Sequence, residues 1–118
     1  MKRFGLPDSC CLRKTAEFNR VYRRGIRLYG NGFLLVYLHG DQLASRLGVS
    51  VPRRVGTAVR RNRIKRLVRE VFRLHREIFP RSSDIVFAVR PGFSFPNIHT
   101  VRDAVAGLTG KTGKLEQG

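Results

Sequence analysis

Between Arg53 and Arg76 the chain sets ten basic residues against a single acid, Glu70. The apolar residues among them are not scattered. Advancing about 100° per residue from Ile64 places Leu67, Val68, Val71, Phe72, Leu74, Ile78 and Phe79 in one stripe. Asn62, Lys65, Arg66, Arg69, Arg73 and Arg76 fall on the opposite side. That spacing predicts the longest helix of the chain over about Ala58–Phe79, with Thr57 as N-cap and Pro80 just past its end. Such a helix must dock its stripe on another layer, and it then turns a nearly unbroken cationic face outward.

A solvated helix face normally mixes signs and forms pairs one turn apart, yet only Glu70 and Glu77 are available here. Arg60, Arg61, Arg63, Lys65 and Arg66 crowd the first turns, where the helix dipole opposes a cation by about 0.3–1 kcal/mol each. Arg60 and Arg61 lie at core-side angles, so they are expected to project beyond the end of the underlying sheet. A phosphate backbone at that helix start would meet free N–H groups as well as guanidinium forks. The whole chain repeats the bias, with 24 Lys and Arg against 8 Asp and Glu, a formal charge of +16. Arginine is favoured over lysine, which solubility does not require and bidentate phosphate contacts exploit. Nucleic acid is the leading partner; a merely solvated surface and an anionic membrane are the alternatives.

The rest of the chain supplies the layer that the helix needs. Thr15 to Arg24 reads as a short helix, with Thr15 as N-cap, Phe18, Val21 and Tyr22 on one face, and Gly25 as its stop. Ile26–Tyr29, the turn Gly30-Asn31-Gly32 and Phe33–Leu38 read as strand, turn, strand. Phe33–Leu38 is apolar on both faces, as expected of a central strand. Arg46 to Val51 alternates, with Leu47, Val49 and Val51 on one side and Arg46, Gly48 and Ser50 on the other. That second side lacks bulk. Either a helix packs closely on Gly48, or the strand is an open floor for a ligand backbone. Asp84–Arg90 reads as a fourth strand, and Ile98 to Leu108 as a last helix. The order helix, three strands, long helix, strand, helix is an α+β arrangement of two layers. At 118 residues with 42% hydrophobic content, one domain over residues 1–118 is expected, with a flexible arm over about 1–11 and a flexible tail over about 109–118.

Several function classes are disfavoured. Cys10 and Cys11 are neighbours, which suits neither an ordinary structural disulfide nor a closed zinc site, and they read as reduced thiols in an irregular N-terminal segment. His39, His75 and His99 are scattered, and no acidic doublet exists to hold catalytic metals. No apolar run approaches the ~20 residues of a membrane span. The start has no apolar signal-peptide region, so a cytoplasmic location is expected. Phe18 and Tyr22, four residues apart, are core residues on spacing alone, although an aromatic edge beside a basic groove also holds single strands.

The run Arg53-Arg54-Val55-Gly56-Thr57-Ala58-Val59-Arg60-Arg61-Asn62-Arg63-Ile64-Lys65-Arg66-Leu67 resembles the signature of the protein subunit of bacterial ribonuclease P. Glu17 to Gly25 and the strand Leu47-Gly48-Val49-Ser50-Val51 support it, and the resemblance extends over about Leu12–Leu108. Thr57 stands where the family usually has Asn, which keeps the cap. Pro52 replaces a more usual polar residue and removes one N–H from the strand end.

The resemblance implies an α–β sandwich with a four-stranded mixed sheet, in the order α-β-β-β-α-β-α, and a left-handed crossover between two parallel strands. It implies that Arg60, Arg61, Asn62, Arg63, Lys65, Arg66, Arg69 and Arg73 lie against a catalytic RNA. It implies a cleft between the first helix and the sheet for the single-stranded 5′ leader of precursor tRNA. Matching cleft positions are Phe18, Tyr22, Phe33, Val36 or Tyr37, and Ser50, with Arg53 and Arg54 at the edge. The expected reaction is endonucleolytic removal of the leader, carried by the RNA subunit with Mg²⁺. The protein then has no catalytic or metal-binding residue and no obligatory protein partner. A ribosomal RNA-binding protein, a DNA-binding regulator and a protein-only nuclease are the competing classes. The regulator is disfavoured by the lack of a closely spaced partner helix, and the nuclease by the missing acids.

Overall fold

The structure of the chain, a computed structural model, describes residues 10–110. The tip of the expected arm (residues 1–9) and nearly all of the expected tail (residues 111–118) lie outside the described residues. In chain order the elements are α1 (Thr15–Arg24), β1 (Ile26–Gly30), β2 (Phe33–His39), β3 (Arg46–Ser50), α2 (Ala58–Leu74), β4 (Ser83–Val89) and α3 (Ile98–Thr109). Short 3₁₀ turns at Arg53–Val55 and Arg76–Ile78 flank α2.

One four-stranded sheet, ordered β1-β2-β4-β3, divides the molecule. β2 pairs antiparallel with β1 and β4, whereas β3 runs parallel to β4. The sheet is mixed because β1 and β2 are joined by a hairpin, while β3 and β4 are joined through α2. Gly32 takes φ 80° in that hairpin, and a Cβ there would sit 2.7 Å from the Phe93 amide nitrogen, so the turn needs glycine twice over.

The two faces bury different layers. Phe33, Leu35, Leu47, Val49, Ile85 and Phe87 point toward α2 and α3, where Val68, Val71, Phe72, Val101 and Val105 meet them. Leu34, Val36, Val86 and Ala88 point the other way, under Val21, Phe18 and Tyr22 of α1. Because both faces are covered, every residue of β4 is buried, and β2 is buried from Phe33 to Val36, in line with its run apolar on both faces.

Four expectations need correction. Lys14, not Thr15, caps α1; Glu17 accepts the backbone N–H groups of Lys14 and Arg13 at 3.1 Å each. α2 stops at Leu74, since His75 leaves helical geometry (φ −134°, ψ 51°), and the chain tightens into a 3₁₀ turn. That break lets Phe79 meet Phe72 edge-on at 5.0 Å, a contact that a continuing helix would not offer. Leu74, counted in the apolar stripe, is 46% exposed. Cys10 and Cys11, expected in an irregular N-terminal segment, are tied to the sheet: Cys10 is buried, Cys11 bridges Leu47, and the Leu12 amide donates to the Leu47 carbonyl at 2.9 Å.

An ionic cluster ties α1 to the sheet. Arg46 grips Asp84 with both arms of its fork, Nε to Oδ1 at 2.9 Å and Nη2 to Oδ2 at 2.8 Å. Its third nitrogen, Nη1, reaches Glu17 Oε2 at 3.1 Å. Gln42 adds a donor to Asp84 at 3.0 Å, so the carboxylate is well satisfied in its buried position.

Candidate nucleic-acid interface

α2 is the source of the charge, and its cap explains where that charge goes. Thr57 accepts the Arg60 amide at 3.2 Å, which fixes the first turn beside the β3 end of the sheet. From there the arginines part company. Arg60 folds back and donates to the carbonyls of Phe93 (2.7 Å) and Val55 (3.4 Å), and Arg61 donates to that of Gly56 (3.2 Å). The conflict between cations and the helix N-terminus is therefore relieved internally at these two positions, by backbone oxygens of the neighbouring loops. Arg73 is held by Glu70 one turn back, with Nε to Oε1 at 3.0 Å. That pairing raises the Arg73 guanidinium and lowers the Glu70 carboxyl, through the side-chain hydrogen bond first.

Asn62, Lys65, Arg66 and Arg69 behave differently. They line one wall of a groove of about 670 Å³. Phe18 lines the same groove, together with Arg13, Leu12 and Cys11 of the segment that leads into α1 and with Val49 of β3. The groove thus runs past the edge of β3, between α2 on one side and α1 on the other. It combines an aromatic ring, an apolar floor and cations, the set of surfaces that a single nucleic-acid strand uses. Arg63 sits on the other flank of α2, in a shallower groove of about 440 Å³ floored by Leu67 and Ile98, with Arg66 and Arg73 on its rim.

The expected cleft residues do not all meet. Phe18 and Tyr22 lie together on α1, half-buried against the sheet. Phe18 covers Gly48: a Cβ at Gly48 would stand 2.5 Å from Phe18 Cζ and 3.0 Å from Leu12 Cβ. The bare face of β3 is thus closed at Gly48 by helix packing, and the open-floor reading fails there; Ser50, two residues on, remains half-exposed. Phe33 is corrected outright. It is 2% exposed on the opposite face, stacked on Phe87 with centroids 4.6 Å apart and edge-on to Phe93. Tyr37 shares that face, since it packs against the same cluster. The period of two in β2 decides this, because Leu34 and Val36 hold the α1 side and the residues alternating with them cannot. Val36 is on the correct face but fully buried beneath α1. Arg53 and Arg54 are exposed on the 3₁₀ turn after β3.

Cys11, Leu12, Arg13 and Val49 enter the groove without any local signal. They meet because the segment before α1 lies along the outer edge of β3, a pairing between distant parts of the chain.

The described residues assemble no group of three or more His, Cys, Asp or Glu able to hold a metal. The acids nearest the groove are engaged by arginine, Glu17 and Asp84 by Arg46, and Glu70 by Arg73. An oxygen cage for Mg²⁺ does not fit those residues. Among the described residues no helix is long and apolar enough to cross a membrane.

A family model described as Ribonuclease P matches residues 6–113. The chain is 52% identical to the ribonuclease P protein component of Desulfotalea psychrophila over 110 residues, 93% of this chain and 92% of that protein. It is 36% identical to the ribonuclease P protein component of Dictyoglomus thermophilum over 116 residues, 97% of each. Among solved structures it is similar to the RNase P protein from Thermotoga maritima, with a TM-score of 0.74 at 33% identity, covering 86% of this chain and 97% of that one. The Staphylococcus aureus RNase P protein gives a TM-score of 0.74 at 27% identity, covering 84% and 91%.

Proposed function

Since this chain belongs to the ribonuclease P protein component family, acting in tRNA processing as part of a ribonucleoprotein, we propose that it binds the catalytic RNA and the 5′ leader of precursor tRNA. The observation that carries this reading is the shared groove: Phe18 faces the same space as Asn62, Lys65, Arg66 and Arg69. A leader strand lying there would stack a base on Phe18 while the α2 cations meet its phosphates and those of the catalytic RNA. α2 therefore serves both ligands, with the Arg63 flank offered to the RNA subunit and the exposed Arg53 and Arg54 at the edge of the leader cleft.

The hydrolysis belongs to the RNA subunit, with Mg²⁺ supplying Lewis-acid activation of the attacking water. This chain contributes no reacting group. It neutralises phosphate, orients the leader and so favours precursor over product. Its effect is then largest at low Mg²⁺ and moderate salt, where phosphate repulsion is least screened.

The test is cleavage of precursor tRNA by the cognate ribonuclease P RNA at low Mg²⁺, with and without the protein. Stimulation is expected, and its absence sinks the assignment. In the same assay Phe18→Ala and Tyr22→Ala should weaken precursor binding about tenfold, the scale of one lost base stack. Mature tRNA, which has no leader, should bind as before. Equal losses for both ligands would reduce the two aromatics to core residues.

A further inference from the structure

β1 forms the edge of the sheet opposite β3, and the groove does not use it. It is also the most exposed strand, with Tyr29 69% and Ile26 57% accessible. Register places its side chains. Arg27 stands opposite Val36 and Tyr29 opposite Leu34, and both of those partners face α1. Arg27 and Tyr29 therefore lie on the α1 side of the sheet, just beyond the helix. Arg27 Nη2 donates to the Tyr22 carbonyl at 2.7 Å, which couples it to the last turn of α1. Arg23 and Arg24 are exposed in that turn, and no acid occurs anywhere from Arg20 to Tyr29.

An exposed ring on a sheet face, with Arg27 on the same strand face and Arg23 and Arg24 exposed at the end of the preceding helix, suits an occupant with both a π-face and negative charge. The open edge of β1 is also where a second copy of this chain would pair. That pairing would bring two sets of arginines together, an arrangement that edge strands use to prevent self-pairing. A single RNA strand satisfies both demands: a base stacks on Tyr29 and phosphates meet the arginines. We propose that Tyr29, with Arg23, Arg24 and Arg27, forms a second binding site for single-stranded RNA, and that its occupant is the distal part of the precursor leader. This rests on the leader-binding function proposed above. The leader is favoured over the catalytic RNA because the patch shares the α1 side with Phe18. Arg20, Arg23 and Arg24 are exposed on α1, the helix that carries Phe18.

The experiment uses the reconstituted ribonucleoprotein and two precursors, with leaders of about 3 and about 15 nucleotides, chosen to fall short of and to span a typical single-strand site. Tyr29→Ala and the pair Arg23→Ala with Arg24→Ala should weaken the long-leader precursor about tenfold and leave the short one unchanged. Tyr29→Phe, which keeps the stacking face, should restore tight binding. Phe18→Ala should weaken both. Equal losses on both leaders, or weaker binding of the catalytic RNA alone, would overturn the assignment by giving the patch to another RNA. A dimer of the free protein that Tyr29→Ala abolishes would give it to a second copy, and no change at all would leave a solvated ring. If the unmodified protein fails to distinguish precursor from mature tRNA, the leader-binding reading itself falls, a result separate from any of these.

Discussion

Replacing Lys65, Arg66 and Arg69 together by alanine should weaken binding of the catalytic RNA by about 150- to 2000-fold, at roughly 1–1.5 kcal/mol per charged contact. It should also reduce the steepness of log affinity against log salt by about 2–3, since each phosphate neutralised contributes about 0.7–0.9. These three side chains face the groove, and no described residue accepts a hydrogen bond from them. Their loss removes like charges from one helix face, so stability in urea should hold within about 0.5 kcal/mol or rise. Arg60→Ala is the contrast. Its guanidinium is bonded to the Phe93 and Val55 carbonyls, so its removal should cost about 1 kcal/mol of stability and leave the salt slope nearly unchanged. Binding titrations at several salt concentrations decide the matter; a triple variant with the original slope would remove α2 from the interface.

Asp84→Ala should be the most destabilising single polar substitution. The carboxylate side chain is 8% exposed and accepts both arms of Arg46 and the Gln42 amide. Deleting it strands a guanidinium beside the core. That costs about 3–5 kcal/mol for a fully buried pair, and about 2–4 here because Arg46 is partly solvated and keeps Glu17. For a chain of this size the melting temperature should fall by roughly 10–20 °C. Thermal unfolding checks it, and a fall of only a degree or two would show that the cluster contributes little. The same cluster sets an acid limb. The Glu17 carboxyl is held below its ordinary value of 4.5 by the backbone N–H of Lys14, then that of Arg13, then the Arg46 charge. A carboxyl lowered on folding contributes stability that is fully present above its unfolded value and is lost as pH falls through the folded one. Glu17→Gln should therefore flatten the loss of stability below about pH 4.5, while leaving the Arg46–Asp84 pair in place.

Local pattern carried most of the element assignment because it is written in adjacent residues. The helix Thr15–Arg24 (though not its cap), the hairpin around Gly32 and the start of α2 after Thr57 follow from breakers, caps and periods of 3.6 or 2. The end of α2 did not follow, since the stripe continues through Ile78 and Phe79 while the backbone turns at His75. Both residues stay buried either way, so hydrophobic pattern could not distinguish a helix from a 3₁₀ turn there.

The candidate site was half legible. That α2 bears an outward cationic face is a property of its own sequence. Which arginines are bonded internally is not: Arg60, Arg61 and Arg73 donate to Phe93, Val55, Gly56 and Glu70, while Lys65, Arg66 and Arg69 face the groove. Phe33 shows the same limit from the apolar side. An aromatic residue opening a strand is equally suited to a cleft or a core, and the pairing of β2 with β4 sends it to the core, onto Phe87.

The arginine-dense segment from Arg53 to Arg76 by itself determined a basic amphipathic helix, a polyanionic partner and, through its motif, the family. Tertiary structure alone decided that this helix shares a groove with Phe18, that Gly48 is sealed rather than open, and that Tyr29 stands exposed beside Arg27. Charge and periodicity are sums over neighbouring residues, whereas a groove is defined by side chains that meet only after β3 has found β4 and the N-terminal segment has found β3.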